Sequence, residues 1–118
     1  MEWEVEYSHE FGVWWDSLSE VSRQNSLPRL SCYKNSARPT LPRPHSDTIV
    51  SSRHSNMKEL RGKVDERQLR VLYAFDPRRT AILLIGGDKS GDPKWYERFV
   101  PVADDLFDRH LKDIDRRR

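Results

Sequence analysis

Residues 69–99, LRVLYAFDPRRTAILLIGGDKSGDPKWYERF, constrain the fold more than any other stretch of this 118-residue chain. Leu69, Val71, Tyr73 and Phe75 alternate with Arg70, Leu72 and Ala74, the period of two that marks a strand with two distinct faces. Asp76-Pro77-Arg78-Arg79 interrupts the run. Pro77 suits the second position of a tight turn, and Asp76 can accept hydrogen bonds from the backbone ahead of it. Thr80 to Ile85 is a second apolar, β-prone run, so the two runs predict an antiparallel hairpin. Gly86-Gly87-Asp88-Lys89 is expected to end it, and a helix is expected to start near Pro93 with Asp92 as its N-cap.

The remaining elements follow from the same patterning. Trp3, Val5 and Tyr7 alternate with Glu2, Glu4 and Glu6 as a half-buried strand. Ser8 is a natural N-cap for a helix carrying Phe11, Trp14, Trp15 and Leu18 on one face. Residues 57–61 read as a short strand, and 62–68 as a turn. From Tyr96 to Ile114 the apolar residues keep helical phase across Pro101, which predicts one kinked helix rather than two. Strand, helix, gap, three strands and helix make an α+β domain: a small, mainly antiparallel sheet with helices packed on one side. The chain is expected to be a single domain, 1–118, with an atypical irregular segment at 21–56 holding Pro28, Pro39, Pro42 and Pro44.

Charge is unevenly spread. The first twenty residues hold six acids and no Lys or Arg, whereas positions 21–70 hold eleven basic residues against four acids. A basic body favours an anionic partner, nucleic acid being the commonest; a solubilising surface is the plainer reading. The single cysteine, Cys32, excludes an internal disulfide and leaves no cysteine pair for a metal. No run approaches the roughly 18 apolar residues of a membrane span. An acidic N-terminus without an apolar stretch predicts no signal peptide, so a cytoplasmic location is expected.

Taken together, KELR (58–61), RVLYAFDPRRTAILLIGGDKSG (70–91) and WYERFVPVADDLFDRHL (95–111), with RPHSDTI and SRHSNMKELR across 43–61, resemble the RelE/HigB-like toxins of bacterial toxin–antitoxin modules. The resemblance implies an N-terminal strand, a helical hairpin and an antiparallel sheet. It also implies a ribosome-dependent mRNA endonuclease that inhibits translation, needs no cofactor, and is silenced by a cognate antitoxin. The partners implied are that antitoxin, the ribosome and mRNA, with no membrane. A gyrase poison of the ParE-like kind and an inactive remnant that keeps only antitoxin or RNA binding are the alternatives. The departure is VSRQNSLPRLSCYKNSARP at 21–39, where the family has a second helix. Two compensating frame changes near residues 20 and 39 would explain it, because codon degeneracy lets the same DNA, read two nucleotides later, encode helix formers. The coding DNA tests this: absence of an amphipathic helix in the alternative frame removes the idea.

Metal-free RNA cleavage needs a base for the ribose 2′-OH, cations for the phosphorane and an acid for the leaving oxygen. Arg70 is the sharpest candidate, a lone cation in an apolar strand; the plain reading is an exposed strand arginine. Lys58 and Arg61 have opposite parity, so only one can face a given side. Lys89 follows two glycines where backbone can approach a ligand. Tyr96 and His54 are the proton-transfer candidates, with His45 behind them. Trp95 could stack on a splayed base, although such residues more often fill cores. Arg78 and Arg79, at the hairpin turn, would meet RNA away from the scissile bond.

Overall fold

The computed structural model describes residues 2–19, 40–42, 47–49, 51–64 and 66–116. The elements are β1 (Glu2–Tyr7), α1 (His9–Ser17), β2 (Thr40–Pro42), β3 (Asp47–Thr48), β4 (Met57–Val64), β5 (Arg67–Phe75), β6 (Ala81–Asp88) and α2 (Trp95–Arg116). The strands form one sheet in the order β2-β1-β6-β5-β4-β3. Only β1 and β6 run parallel, and the other neighbours are antiparallel. The α+β class and the mainly antiparallel sheet are those the patterning predicts. Among the described residues no helix is long and apolar enough to cross a membrane.

The hairpin forms where turn chemistry places it. Arg79 N–H donates to the Asp76 carbonyl (2.9 Å), and Asp76 N–H donates to that of Thr80 (2.9 Å). Pro77 thus occupies the second position of a 76–79 turn, and Arg79 follows in the left-handed region (φ 63°). The Asp76 carboxylate ties the loop together, accepting from the backbone of Arg78 and Thr80, from the Arg78 guanidinium and from His110. Ser8 caps α1 as expected. Its hydroxyl oxygen accepts from Phe11 N–H at 2.9 Å, while its own proton goes to the Leu84 carbonyl on β6.

The strands are longer than the sequence suggested. Gly62, Lys63 and Val64 pair with Leu69, Gln68 and Arg67, so the ladder reaches into the stretch expected to turn. Likewise β6 continues through Gly86, Gly87 and Asp88. The helix starts at Trp95, with Asp92 accepting from Lys94 N–H, and it runs through Pro101 as one element. Two short strands, β2 and β3, lie inside the segment expected to be irregular. The second helix of the family and the frame-change idea concern residues outside those described.

Helix placement differs from the one-sided packing expected. Val71, Tyr73, Leu69 and Leu83 form one apolar cluster with Phe11 and Trp15 of α1. Leu72, Ala74, Ile82 and Leu84 form another with Trp95, Val100, Ala103 and Phe107 of α2. Each helix therefore covers its own face. The reason lies in β5, where Val71, Leu72, Tyr73 and Ala74 are all fully buried. A strand apolar on both parities must be covered on both sides.

The two adjacent glycines of β6 serve this two-sided arrangement. A Cβ on Gly86 would lie 2.2 Å from Trp14, and one on Gly87 would lie 2.7 Å from Nε1 of Trp95. Each glycine seats one indole, on opposite faces of the strand. An irregularity in the β5–β6 register beside Leu72 and Tyr73 precedes this pair.

Candidate functional site

Beyond Met57 and Ala74, three further rows of side chains lie on the α2 face of the β4–β5 ladder. Glu59 pairs with Leu72, Arg61 with Arg70, and Lys63 with Gln68. The first row is covered by the start of α2, and Arg70 of the second is buried too, whereas Arg61, Lys63 and Gln68 are exposed. Arg61, Gly62, Lys63, Gln68 and Arg70 line an open pocket of about 370 Å³ beyond the helix. Basic groups thus stand where the apolar cover stops.

Glu59 organises the covered edge of this pocket. It is 3% exposed, yet it is a carboxylate and must be paired. Arg61 donates from Nε to Oε1 (2.9 Å) and lies equally close through Nη2. Tyr96 donates its hydroxyl proton to Oε2 at 2.7 Å. Burial pushes the Tyr96 hydroxyl up from its ordinary pKa, and the bond to Glu59 pushes it further; Arg70 opposes both. Tyr96 therefore holds its proton as a donor. The Lys89 ammonium lies 5.3 Å from the centre of its ring, a cation–π arrangement.

Arg70 is buried against this group, with Nη1 on the carbonyl of the preceding residue, Leu69, at 2.8 Å, and Nη2 3.5 Å from Gln68 Oε1. Trp95 is fully buried, packed between Tyr96 and Phe99, and acts as the core anchor of the helix start rather than an open stacking platform. The structure thus brings Arg61, Arg70, Lys89, Trp95 and Tyr96 together around one edge.

It does not bring the others there. Lys58 has the parity of Leu60 and stands opposite Tyr73, on the α1 face. His54 bonds through Nε2 to Asp108 at 2.8 Å and packs edge-on against Phe107. Twelve helical residues separate Asp108 from Tyr96, or about 18 Å along the axis. The His54 loop is pinned there by Asp104, which is 2% exposed and accepts from Ser52 and from Arg53 N–H. Arg78 is engaged with Asp76 and Glu6 at the far end of β5, and exposed Arg79 completes the turn beside it. Six residues of strand between Arg70 and Asp76 amount to about 20 Å. His45 lies outside the described residues.

Sequence reasoning missed Glu59. Its cue was parity: it shares a face with buried Met57, and a buried acid between two cations needs partners that a strand alone does not supply. The family model described as Phage derived protein Gp49-like (DUF891) matches residues 13–108, most of the chain. The chain belongs to the Gp49-like family. Two Mycobacterium tuberculosis (strain ATCC 25618 / H37Rv) proteins are similar to this Gp49-like chain. One, named "Putative toxin HigB2", is 44% identical over 79 residues, covering 65% of this chain and 39% of its own length. The other, named "Putative toxin HigB3", is 52% identical over 74 residues, covering 62% of this chain and 63% of its own length. The Gp49-like chain therefore spans less than two thirds of either relative. No solved structure gives a significant match. The HigB-like resemblance carried by the motifs of 43–111 agrees with both relatives.

Proposed function

We propose that this chain is the toxin of a toxin–antitoxin module and that it cuts mRNA at the ribosome, blocking translation until a cognate antitoxin binds it. The names of the two relatives support the toxin reading. The observation that carries the cleavage reading is the convergence of Glu59, Arg61, Arg70 and Tyr96 beside an open basic pocket. A gyrase poison of the same fold has no need of such a convergence.

The chemistry divides among these groups. Arg61 and Arg70 receive the scissile phosphate, since guanidinium groups hold several donors toward its oxygens. Glu59 takes the proton of the ribose 2′-OH as that oxygen bonds to phosphorus. The P–O5′ bond breaks, and Tyr96 gives its proton to the departing oxygen. The products are a 2′,3′-cyclic phosphate and a free 5′-hydroxyl. The Tyr96–Glu59 hydrogen bond then returns the proton to the phenolate and resets both groups. This assignment replaces His54 and Lys58, which lie elsewhere.

The test is induction in a translating host, followed by mapping of mRNA ends. The parent chain should arrest growth and generate 5′-hydroxyl ends. Arg70→Ala should cut at least about 10²-fold more slowly, the usual cost of losing a charge-stabilising donor. Growth arrest by the parent without new 5′-hydroxyl ends would remove the cleavage reading, and a folded Arg70→Ala chain that cuts at the parental rate would remove Arg70 from it.

A further inference from the structure

Among the described residues, two buried N–H groups on this face of the sheet have no acceptor: Nε of Arg70, which lines the pocket, and Nε1 of Trp95. Arg70 is 8% exposed and Trp95 1%. A donor left unpaired after losing water is costly, and folded chains keep such groups rarely. The residues that carry them both adjoin Gly87. Arg70 stands directly across from Gly87 in the β5–β6 ladder. A Cβ on Gly87 would lie 2.7 Å from Trp95 Nε1. Cross-strand Cβ positions are about 5 Å apart, so the indole N–H fills the slot next to the Arg70 side chain, whose Nε lies three bonds from its own Cβ.

Arg70 is folded back on its own strand, one Nη on the Leu69 carbonyl and the other at long range from Gln68. It nevertheless borders the pocket, together with Arg61 and Lys63. Trp95 opens a helix of 22 residues, whose N-terminal dipole also favours an anion.

We propose that Arg70 Nε and Trp95 Nε1 form the floor of an oxyanion subsite that takes one non-bridging oxygen of an RNA phosphodiester, and that the Arg70 conformation seen is a parked one. The inference rests on the RNA-cleavage reading for its substrate class, and adds the indole of Trp95 to the groups that touch substrate. The surroundings favour phosphate over a lone neutral acceptor. A tetrahedral anion can meet the two floor donors with one oxygen while Arg61 and Lys63 meet others. On binding, the Arg70 guanidinium leaves the Leu69 carbonyl and turns toward the phosphate, which brings Nε into play.

The test is nuclear magnetic resonance of ¹⁵N-labelled protein titrated with thymidylyl-thymidine, whose phosphodiester cannot be cut because it lacks a 2′-hydroxyl. The four tryptophans give four indole signals. The Trp95 signal is assigned by its contact with Gly87 and by its loss in Trp95→Phe, so the readout survives if that variant fails to fold. The expected result is a saturable downfield shift of the Trp95 indole proton and of Arg70 Nε–H, with Trp14 and Trp15 unmoved. A folded Trp95→Phe chain should bind the probe about tenfold or more weakly, as for a lost hydrogen bond to a charged group. Absence of saturable binding, a still Trp95 signal at saturation, or an equal shift with thymidine alone overturns the subsite. Binding that shifts Trp95 in a chain that cuts no RNA leaves the subsite standing and removes the cleavage reading. Cleavage without the shift does the reverse.

Discussion

Replacing Gly86 by alanine tests how α1 is held on its face. The new methyl would meet three atoms of the Trp14 ring at 2.2, 2.3 and 2.6 Å. Carbon atoms pack at about 3.5–4.0 Å, so the ring must retreat by more than about 1 Å. Trp14 cannot do so freely, since it leans on Phe11 (centroids 5.8 Å apart) and on Trp15 (6.5 Å), and both of those are 1% exposed. Overpacking of this kind costs about 1–3 kcal/mol, and the relief of glycine's backbone freedom in a strand returns about 0.5–1. A net loss of about 1–2 kcal/mol is expected. Urea unfolding followed by far-ultraviolet dichroism measures it as a lower midpoint at an unchanged slope. Gly87→Ala supplies the contrast. Its methyl meets Trp95 less severely, at 2.7–3.1 Å, but Trp95 is boxed between Phe99 and Tyr96. The displacement therefore passes to Tyr96 and its bond to Glu59, so RNA cleavage should suffer out of proportion to stability. A Gly86→Ala chain that unfolds at or above the parental urea midpoint would refute the seating of Trp14 over Gly86.

Three further outcomes follow from the ionic contacts and the turn. Asp76→Ala should destabilise the chain by about 3 kcal/mol or more, because it strips partners from Thr80 N–H, Arg78 and His110 at once; chemical denaturation at pH 7 reads this, and unchanged stability would contradict the role given to the carboxylate. Burial raises the Asp76 pKa, but the bonds from His110, Arg78 and Thr80 outweigh it and leave it lowered, so this contribution is present above the ordinary value of 3.8 and fades as pH falls below it. Glu10 is held down to about 2 by its hydrogen bond from Arg109, against the opposing effect of desolvation. Its stabilisation is complete above the unfolded value of 4.5 and is lost as pH falls toward 2; solvent screening keeps it below about 1 kcal/mol, so Glu10→Gln should differ slightly from the parent at pH 7 and not at pH 2. Arg79→Gly should raise stability by up to about 1 kcal/mol in a thermal melt, since Arg79 sits in the left-handed region that the turn needs and only glycine enters freely; a lower melting temperature would show that Arg79 earns its place through a contact instead.

What the sequence disclosed depended on how local the cause was. The β5–β6 hairpin was legible because Asp76 and Pro77 act within their own turn. Arg70 was legible because a charge among six apolar neighbours stands out at any burial. The Lys58–Arg61 parity conflict was legible too, although sequence alone could not say which residue wins. Partners distant in the chain were not legible. Glu59 and Tyr96 are 37 residues apart, and His54 and Asp108 are 54 apart. A histidine beside basic residues in sequence therefore looked like a site residue, while its ring was committed to the middle of α2. The glycine pair suggested an approach to ligand because the tryptophans that occupy the missing side chains come from two different helices. Helix placement was missed for a related reason: period-two alternation separates Arg70 from its neighbours but hides that Leu72 and Ala74 need a cover of their own.

The β4–β5 register carries one local conflict. Arg61 and Arg70 are direct cross-strand partners, with Lys63 in the next row, an arrangement that repels in an isolated sheet. Glu59 neutralises one of these charges from the row below, and its other oxygen is spent on Tyr96. The conflict coincides with the two unpaired buried donors and the open pocket. Elsewhere in the same ladder the pairs are apolar or of mixed character, as in Leu60 with Val71 and Met57 with Ala74. Stability alone would favour an apolar residue at position 70, since Arg61 already pairs the buried Glu59. Departures from local consistency of this kind collect where a chain must bind something. An anionic ligand resolves all of the mismatches at once, adding negative charge between the arginines and acceptors for the two floor donors. Arg70→Met should accordingly stabilise the folded chain toward urea while sharply weakening its affinity for phosphodiesters, a pairing of effects that a purely structural arginine would not produce.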